Sequence, residues 1–476
     1  MKKYSENSLN NGRRGFIKQS ALASFGFMAL LECNRCSTGL IESPETVNGS
    51  LNLVHNSYGY LDLPEEFTYK IISKTGQKMN DGFLVPGRPD AMGAFEGDTQ
   101  DEVILVRNHE NSPEPLENSP FGNENELFSK ISSSLLYDAG QRQMPRLGGT
   151  TTLVFSEGKQ EIERQHLSLA GTNRNCAGGI TPWGSWLSCE EDVTTADGSV
   201  EKDHGFVFEL PALDKGIVSP VPITGMGRFH HEAVAVDPKS GIVYQTEDRH
   251  EVLIYRYIPN TKGSLLSGGR LQALGLKDRK GFDTRNCVLA PYRWDNHQLP
   301  LDQPMEVVWL DMDDMLSPKD DLRYRGFELG AARFARGEGI WFGEDELYFA
   351  CTNGGPNKYG QVFWYSLSPD EGNENTDSVS ATLELFAESM DKYVLHMCDN
   401  LTIAPWGDLI LCEDNGELNH LRGIRPDGTM YTFATNTGSE SEMAGVVFSP
   451  SGKTLFVNIQ DNGETIAITG PWKNLS

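Results

Sequence analysis

The sequence is short of positive charge, and that shortage already removes one class of partner. Forty-one lysines and arginines stand against 67 aspartates and glutamates, a formal net charge of −26. A chain so charged repels phosphate backbones, which excludes nucleic acid as a partner. Cysteine is sparse too: eight are spread over 476 residues. That is far below the density of a small disulfide-stapled domain. Apart from Cys33 and Cys36 near the N-terminus, no CxxC pair backed by histidines offers a structural zinc site. No GxSxG elbow, HExxH helix or GxxxxGK[ST] loop occurs, so the commonest serine-hydrolase, metalloprotease and nucleotide-binding patterns are missing. The apolar stretch over residues 20–31, SALASFGFMALL, is shorter than the roughly 20 residues a membrane-spanning helix needs. No stable membrane anchor is expected.

What is present begins with Arg13 and Arg14, ahead of Phe16, Lys18 and that short apolar stretch. Twin arginines before a short apolar run match a twin-arginine export signal. A linker rich in Ser, Thr, Asn and Glu follows, so residues 1–50 read as signal and linker and residues 51–476 as one domain. The expected partner at this end is the twin-arginine export machinery, and the expected location is the periplasm or the cell exterior. A route that carries folded proteins suits one that takes up cofactors before export.

The body of the chain repeats itself. NCAGGITPWGSWLSCEED from Asn175 and CDNLTIAPWGDLILCEDN from Cys398 nearly copy one another. Each sets a Pro-Trp-Gly turn between two short apolar runs and ends in acids, the pattern of a β-hairpin. Looser copies start at Asp90, His231, Gly337 and Glu442. About six such hairpins, with a polar residue recurring at the same place, predict an all-β chain folded as a single β-propeller with loop insertions. A β-sandwich would not explain the recurring polar residue.

The innermost strands of a propeller all start at one face of its channel. Cys176, Glu232, Glu338, Asp399 and Glu442, joined by Asp90, are therefore expected to form a ring. Carboxylates held so close repel one another unless cations sit among them. Calcium, with six to eight oxygen ligands at flexible angles, suits such a ring. The strand-end acids Glu190, Glu191, Glu247, Asp248, Glu413 and Asp414 are expected to add to it, about half of them as ligands. Cys176 fits either of two roles, a buried structural thiol or a soft ligand for iron or another transition metal. Arg336, two residues before Glu338, suits either a bidentate grip on a tetrahedral oxyanion or an ion pair with a neighbouring acid. His230, His231 and His396 are read as structural.

The stretches GTNRNCAGGITPWGSWLSCEE, GRFHHEAVAVDP with VYQTEDR, and ARFARGEGIWF with CTNGG, behind a twin-arginine leader, resemble the PhoX family of bacterial alkaline phosphatases. The resemblance implies a six-bladed propeller that hydrolyses small phosphomonoesters with calcium and ferric iron (Ca2+, Fe3+), acting as a monomer. Carried over residue by residue, it implies iron ligation by Cys176, Glu191 and Glu232. It implies calcium or bridging roles for Glu190, Glu247, Glu338, Asp399 and Glu413, with Arg336 as the phosphate clamp beside Glu338 at the catalytic centre. Two other readings fit the ring. One is a calcium-dependent propeller hydrolase of lactones or phosphotriesters, which would hold calcium without iron. The other is a non-catalytic propeller that binds a cell-surface partner and uses metals only as braces.

Overall fold

The hairpins marked by the repeats fold as antiparallel pairs, each the inner edge of a larger sheet. The computed structural model describes residues 51–56, 59–287, 299–373 and 379–475; the twin-arginine segment and its linker lie outside them. The chain enters through β1 (Leu53–Val54), β2 (Leu61–Pro64) and β3 (Thr68–Lys74). A four-stranded meander follows, β4 (Pro89–Glu96), β5 (Glu102–His109), β6 (Gly148–Ser156) and β7 (Glu161–Thr172). Next come three strands, β8 (Asn175–Ile180), β9 (Ser185–Glu190) and β10 (Val207–Pro211). The next meander is β11 (His231–Val236), β12 (Val243–Glu247), β13 (Tyr255–Pro259) and β14 (Gly269–Leu276), with β15 (Met305–Asp311) on its edge. After a short helix, α1 (Leu322–Leu329), come β16 (Gly337–Phe342), β17 (Glu346–Cys351), β18 (Gln361–Ser366) and β19 (Thr382–Glu388). β15 also pairs with β19 and so joins these two meanders into one nine-stranded sheet.

β20 (Cys398–Ile403), β21 (Leu409–Glu413), β22 (His420–Ile424) and β23 (Met430–Asn436) form the following sheet, extended by β2 and β1. The last sheet is β24 (Met443–Phe448), β25 (Thr454–Ile459) and β26 (Glu464–Thr469), completed by β3 from the other end of the chain. That closure runs from Thr68 opposite Thr469 to Lys74 opposite Glu464, and Lys74 Nζ pairs with Glu464 at 2.7 Å.

The inner strands β4, β8, β11, β16, β20 and β24 adjoin in that order, and β24 returns to β4. The sheets thus surround one axis as a β-propeller, as the repeats predict. Alternating apolar residues fill the space between neighbouring sheets; Trp186, Tyr244, Phe334 and Phe349 are all buried there. Each such side chain stabilises the fold by roughly 1.5–3 kcal/mol. Near the axis the strands come too close for side chains. A Cβ on Gly179 would meet the backbone oxygen of Val234 at 2.0 Å, so β8 can lie against β11 only with glycine there.

Candidate metal centre

On each inner strand the register slips once. Pro89 lies opposite His109 but Met92 opposite Arg107, so Asp90 and Ala91 together face Asn108. The same two-against-one bulge sets Cys176 and Ala177 opposite Cys189, and Glu232 and Ala233 opposite Thr246. It also sets Glu338 and Gly339 opposite Ala350, and Asp399 and Asn400 opposite Cys412. A bulge re-aims the side chain it carries. The first bulged residue of all five strands, Asp90, Cys176, Glu232, Glu338 and Asp399, lines one cavity of about 480 Å³.

β24 breaks the pattern. Its bulge falls one place later, at Gly445 and Val446 opposite Val457, and the position matching the other five is Ala444. Gly445 has φ +67°, and a Cβ there would meet the backbone oxygen of Asp90 at 2.3 Å. This strand contributes close backbone packing rather than a ligand.

A second row comes from the residue that follows each hairpin. Glu110, Glu191, Asp248, Asp414 and Gln460 line the cavity, while Thr352 donates its hydroxyl to Glu338 Oε1 at 2.7 Å. The backbone N–H of each residue in this row closes the hairpin mouth. Glu110 donates to the carbonyl of Arg88, Glu191 to that of Arg174, and Thr352 to that of Arg336, at 2.9, 2.9 and 3.0 Å. Arg88, Arg174 and Arg336 reach this position with φ of 44°, 47° and 33°. That conformation costs of order 1–3 kcal/mol and clusters at functional sites.

The three arginines are the cationic side of the cavity, facing eleven carboxyl groups along its lining. Arg336 holds Asp248 through Nε and Nη2, both at 2.8 Å, and its Nη2 lies 3.2 Å from Glu338. Arg174 Nη2 bridges Glu110 and Glu191 at 2.5 and 2.6 Å. Arg88 pairs with Glu110 at 2.8 Å and with Asp461 at 2.6 Å. Three cations do not offset so many acids. Burial, then repulsion from neighbouring acids, pushes the Asp90, Glu232, Glu338 and Asp399 carboxyls well above the usual carboxylate range. The Cys176 thiol is raised by burial, Asp90 and Glu232. Glu191 is the exception: burial would raise it too, but His230 and Arg174 outweigh that and hold it low.

Three overlapping donor sets lie along the ring, with the ligand atoms of each within 4.8 Å of one another. They are Asp90, Glu110 and Cys176; Cys176, Glu191 and Glu232; and Glu232, Glu338 and Asp399. Oxygen-rich sets suit calcium, and a set holding a thiol between carboxylates suits a transition metal such as iron. The residues fit both kinds of ion.

Of the residues singled out from the sequence, the structure brings Cys176, Glu191, Glu232, Glu338, Asp399 and Arg336 to this cavity, with Asp90, Asp248, Asp414 and Glu442. It does not bring Glu190, Glu247 or Glu413. These end β9, β12 and β21 with side chains turned away from the channel, and each has fixed partners. Glu190 accepts from His204 Nδ1 at 2.7 Å and from the backbone of Asn173 and Gly205. Glu247 accepts from Tyr255 and Arg323, and burial pushes its carboxyl up to about 8. Glu413 accepts from Arg422 Nε and the His396 backbone, both at 2.8 Å, and contacts His420.

Several lining residues escaped the sequence reading: Arg88, Glu110, Arg174, Glu440, Gln460 and Asp461. One signal for the arginines was in view. Arg88, Arg174 and Arg336 each stand two residues before a bulged ligand. Among the histidines, His231 is buried with Nε2 at 3.1 Å from the Gly227 oxygen. His230 lies 3.9 Å from Glu191 and contacts Arg249.

The family model described as alkaline phosphatase PhoX matches residues 48–463. Among solved structures, Pseudomonas fluorescens PhoX in complex with vanadate, a transition state analogue, is similar over 88% of this chain and 98% of its own. The TM-score is 0.62 and the identity 17%. A Swd1 β-propeller domain from Myceliophteria thermophila is 10% identical over 85% of this chain and all of its own, with a TM-score of 0.41. A gluconolactonase from Xanthomonas campestris is 12% identical over 88% of this chain and all of its own, with a TM-score of 0.33. No curated protein matches the chain in sequence. Among the described residues no helix is long and apolar enough to cross a membrane.

Proposed function

The chain belongs to the alkaline phosphatase PhoX family, and from that premise we propose that it is an exported phosphomonoesterase with calcium and ferric iron in the channel of a six-bladed propeller. The observation that carries this reading is the convergence of Asp90, Cys176, Glu232, Glu338 and Asp399 from five successive inner strands on one cavity. A purely structural calcium site has no use for the thiol or for Arg336.

Cys176, Glu191 and Glu232 would hold iron, the thiol supplying the soft ligand. Asp90 with Glu110, and Glu338 with Asp399, would hold calcium on either side. Bound there, the ions would act as Lewis acids toward a phosphoryl group. Arg336 is positioned by its two bonds to Asp248. Its Nη1 edge is left to hydrogen-bond the phosphoryl oxygens as charge builds on them. Glu190, Glu247 and Glu413 brace the hairpin ends from behind. Arg13 and Arg14 would direct the folded monomer through the twin-arginine machinery to the periplasm or beyond, where small phosphoesters are its substrates.

The test is elemental analysis of protein purified without chelators, with the same sample assayed on p-nitrophenyl phosphate with and without calcium. Iron and calcium together with calcium-dependent phosphate release are expected. Calcium alone with no phosphate release would move the chain to a lactonase-like or binding propeller and return Cys176 to a structural role.

A further inference from the structure

We propose that Arg174 is a second phosphoryl-binding residue, paired with Arg336 across the β11 edge of the cavity. The inference rests on the phosphatase reading and concerns a residue that neither the repeats nor the family resemblance singled out.

The two arginines occupy equivalent places. Each stands two residues before a bulged ligand, Cys176 or Glu338, and each has a left-handed backbone. Each accepts through its carbonyl the N–H that closes its own hairpin mouth. Each reaches back to the acid that follows the preceding hairpin, Arg174 to Glu110 and Arg336 to Asp248. Each also holds an acid beside its own hairpin, though at different places: Arg174 the residue that follows it, Glu191, and Arg336 the bulged residue within it, Glu338. Since β11 lies between β8 and β16, the two guanidinium groups flank one sector of the ring.

Their spare donors match as well. Arg174 uses Nε and Nη2, as does Arg336, and neither Nη1 has a partner among the described residues. Both side chains line the cavity and remain partly open, 35% and 22% exposed. Arg88 serves as the contrast within the same cavity. Its Nη1 is bound to Asp461 and its Nη2 to Glu110, so its fork is already filled. Arg174 touches Glu110 and Glu191, members of two donor sets, and Arg336 touches Glu338, a member of the third. A tetrahedral phosphoryl group seated over the shared ligands Cys176 and Glu232 meets one guanidinium on each side. That arrangement suits a transition state whose charge spreads over three equatorial oxygens.

A merely structural Arg174 would pin Glu110 and Glu191 and nothing more, and the experiment separates the two roles. Arg174→Lys and Arg174→Gln proteins are reloaded with calcium and iron, analysed for both metals, and titrated calorimetrically with inorganic phosphate beside wild type and Arg336→Lys. The lysine keeps a cation near Glu110 and Glu191 but lacks the fork. Arg174→Lys should therefore keep its metals while phosphate affinity falls roughly tenfold or more, as in Arg336→Lys. Phosphate affinity within about twofold of wild type at full metal content overturns the proposal. So does a loss that only tracks missing metal in both variants. A fully loaded wild type that neither binds phosphate nor releases it from p-nitrophenyl phosphate overturns the phosphatase reading itself. If only the Arg336→Lys protein loses affinity, that reading stands and Arg174 alone is dismissed.

Discussion

Cys176 Sγ lies 3.4 Å from Glu232 Oε1, across the junction of β8 and β11. The thiol is also 3.7 Å from Asp90 Oδ2. With burial and an acid on either side raising its pKa, the thiol holds its proton until a cation displaces it. Cys176→Ala should therefore lose iron roughly tenfold while the set of Glu232, Glu338 and Asp399 retains calcium. Elemental analysis reads both, and an unchanged iron content would remove Cys176 from the metal site.

Glu338 sits between Arg336 and the Thr352 hydroxyl and shares a donor set with Glu232 and Asp399. Glu338→Gln keeps the shape and removes the charge, so metal content and phosphatase activity should fall together. Full activity in that variant would sink the assignment.

The acids that turned away from the cavity should behave in the opposite way. Glu190→Gln and Glu413→Gln leave buried donors short of a charged acceptor, at a cost of about 3 kcal/mol in stability. Both should retain their metals. Denaturant titration beside elemental analysis checks this; metal loss at unchanged stability would place these acids back among the ligands.

His204 makes the stability of the fold depend on pH. Burial works against its charge, but Glu190 and Asp138 outweigh burial and hold its pKa up to about 9, against 6.5 for an ordinary histidine. A raised folded-state pKa stabilises fully below the unfolded value, and that contribution is lost as pH rises through the folded value. His204→Gln should thus melt below wild type at about pH 6, with the gap closing by about pH 10. A constant gap across that range would show that the charge on His204 contributes nothing.

Gly445→Ala should be costly, because φ is +67° and the new Cβ meets the Asp90 oxygen at 2.3 Å. Gly407 is the control: φ is +102° with nothing within 4 Å of an added Cβ. The control should lose about 1 kcal/mol and Gly445→Ala at least twice that, with calcium lost as well because Asp90 must move. Equal losses in thermal melts would mean that the close contact at Asp90 is relieved at no cost.

The hairpins at Asn175 and Cys398 were legible because Pro-Trp-Gly turns sit between alternating runs. Five of the six expected ring residues were legible because they occupy strand starts; Glu442 was read two residues early, since Ala444 holds the matching place on β24. The second row was read only in part: Glu191 was singled out as a ligand, but Glu190 was added to it, and Glu247 and Glu413 were preferred to Asp248 and Asp414. In Glu190-Glu191, Glu247-Asp248 and Glu413-Asp414 two acids are adjacent, and which one enters the channel is a question of register that flips the face with each step. The bulges leave no mark in composition or periodicity. Without them Arg88 and Arg174 carry one mark only, the two-residue offset from Asp90 and Cys176 that they share with Arg336 and Glu338.

β3 completes its sheet only by lying along β26, near the other end of the chain. During synthesis Asp90, Cys176, Glu232, Glu338 and Asp399 leave the ribosome well before Glu464–Thr469 is made, and until then they are points on an open arc. Pairings between such distant segments form late. A socket for ions would thereby wait on the pairing of β3 with β26: a chain stopped short of Glu464 offers scattered acids in its place.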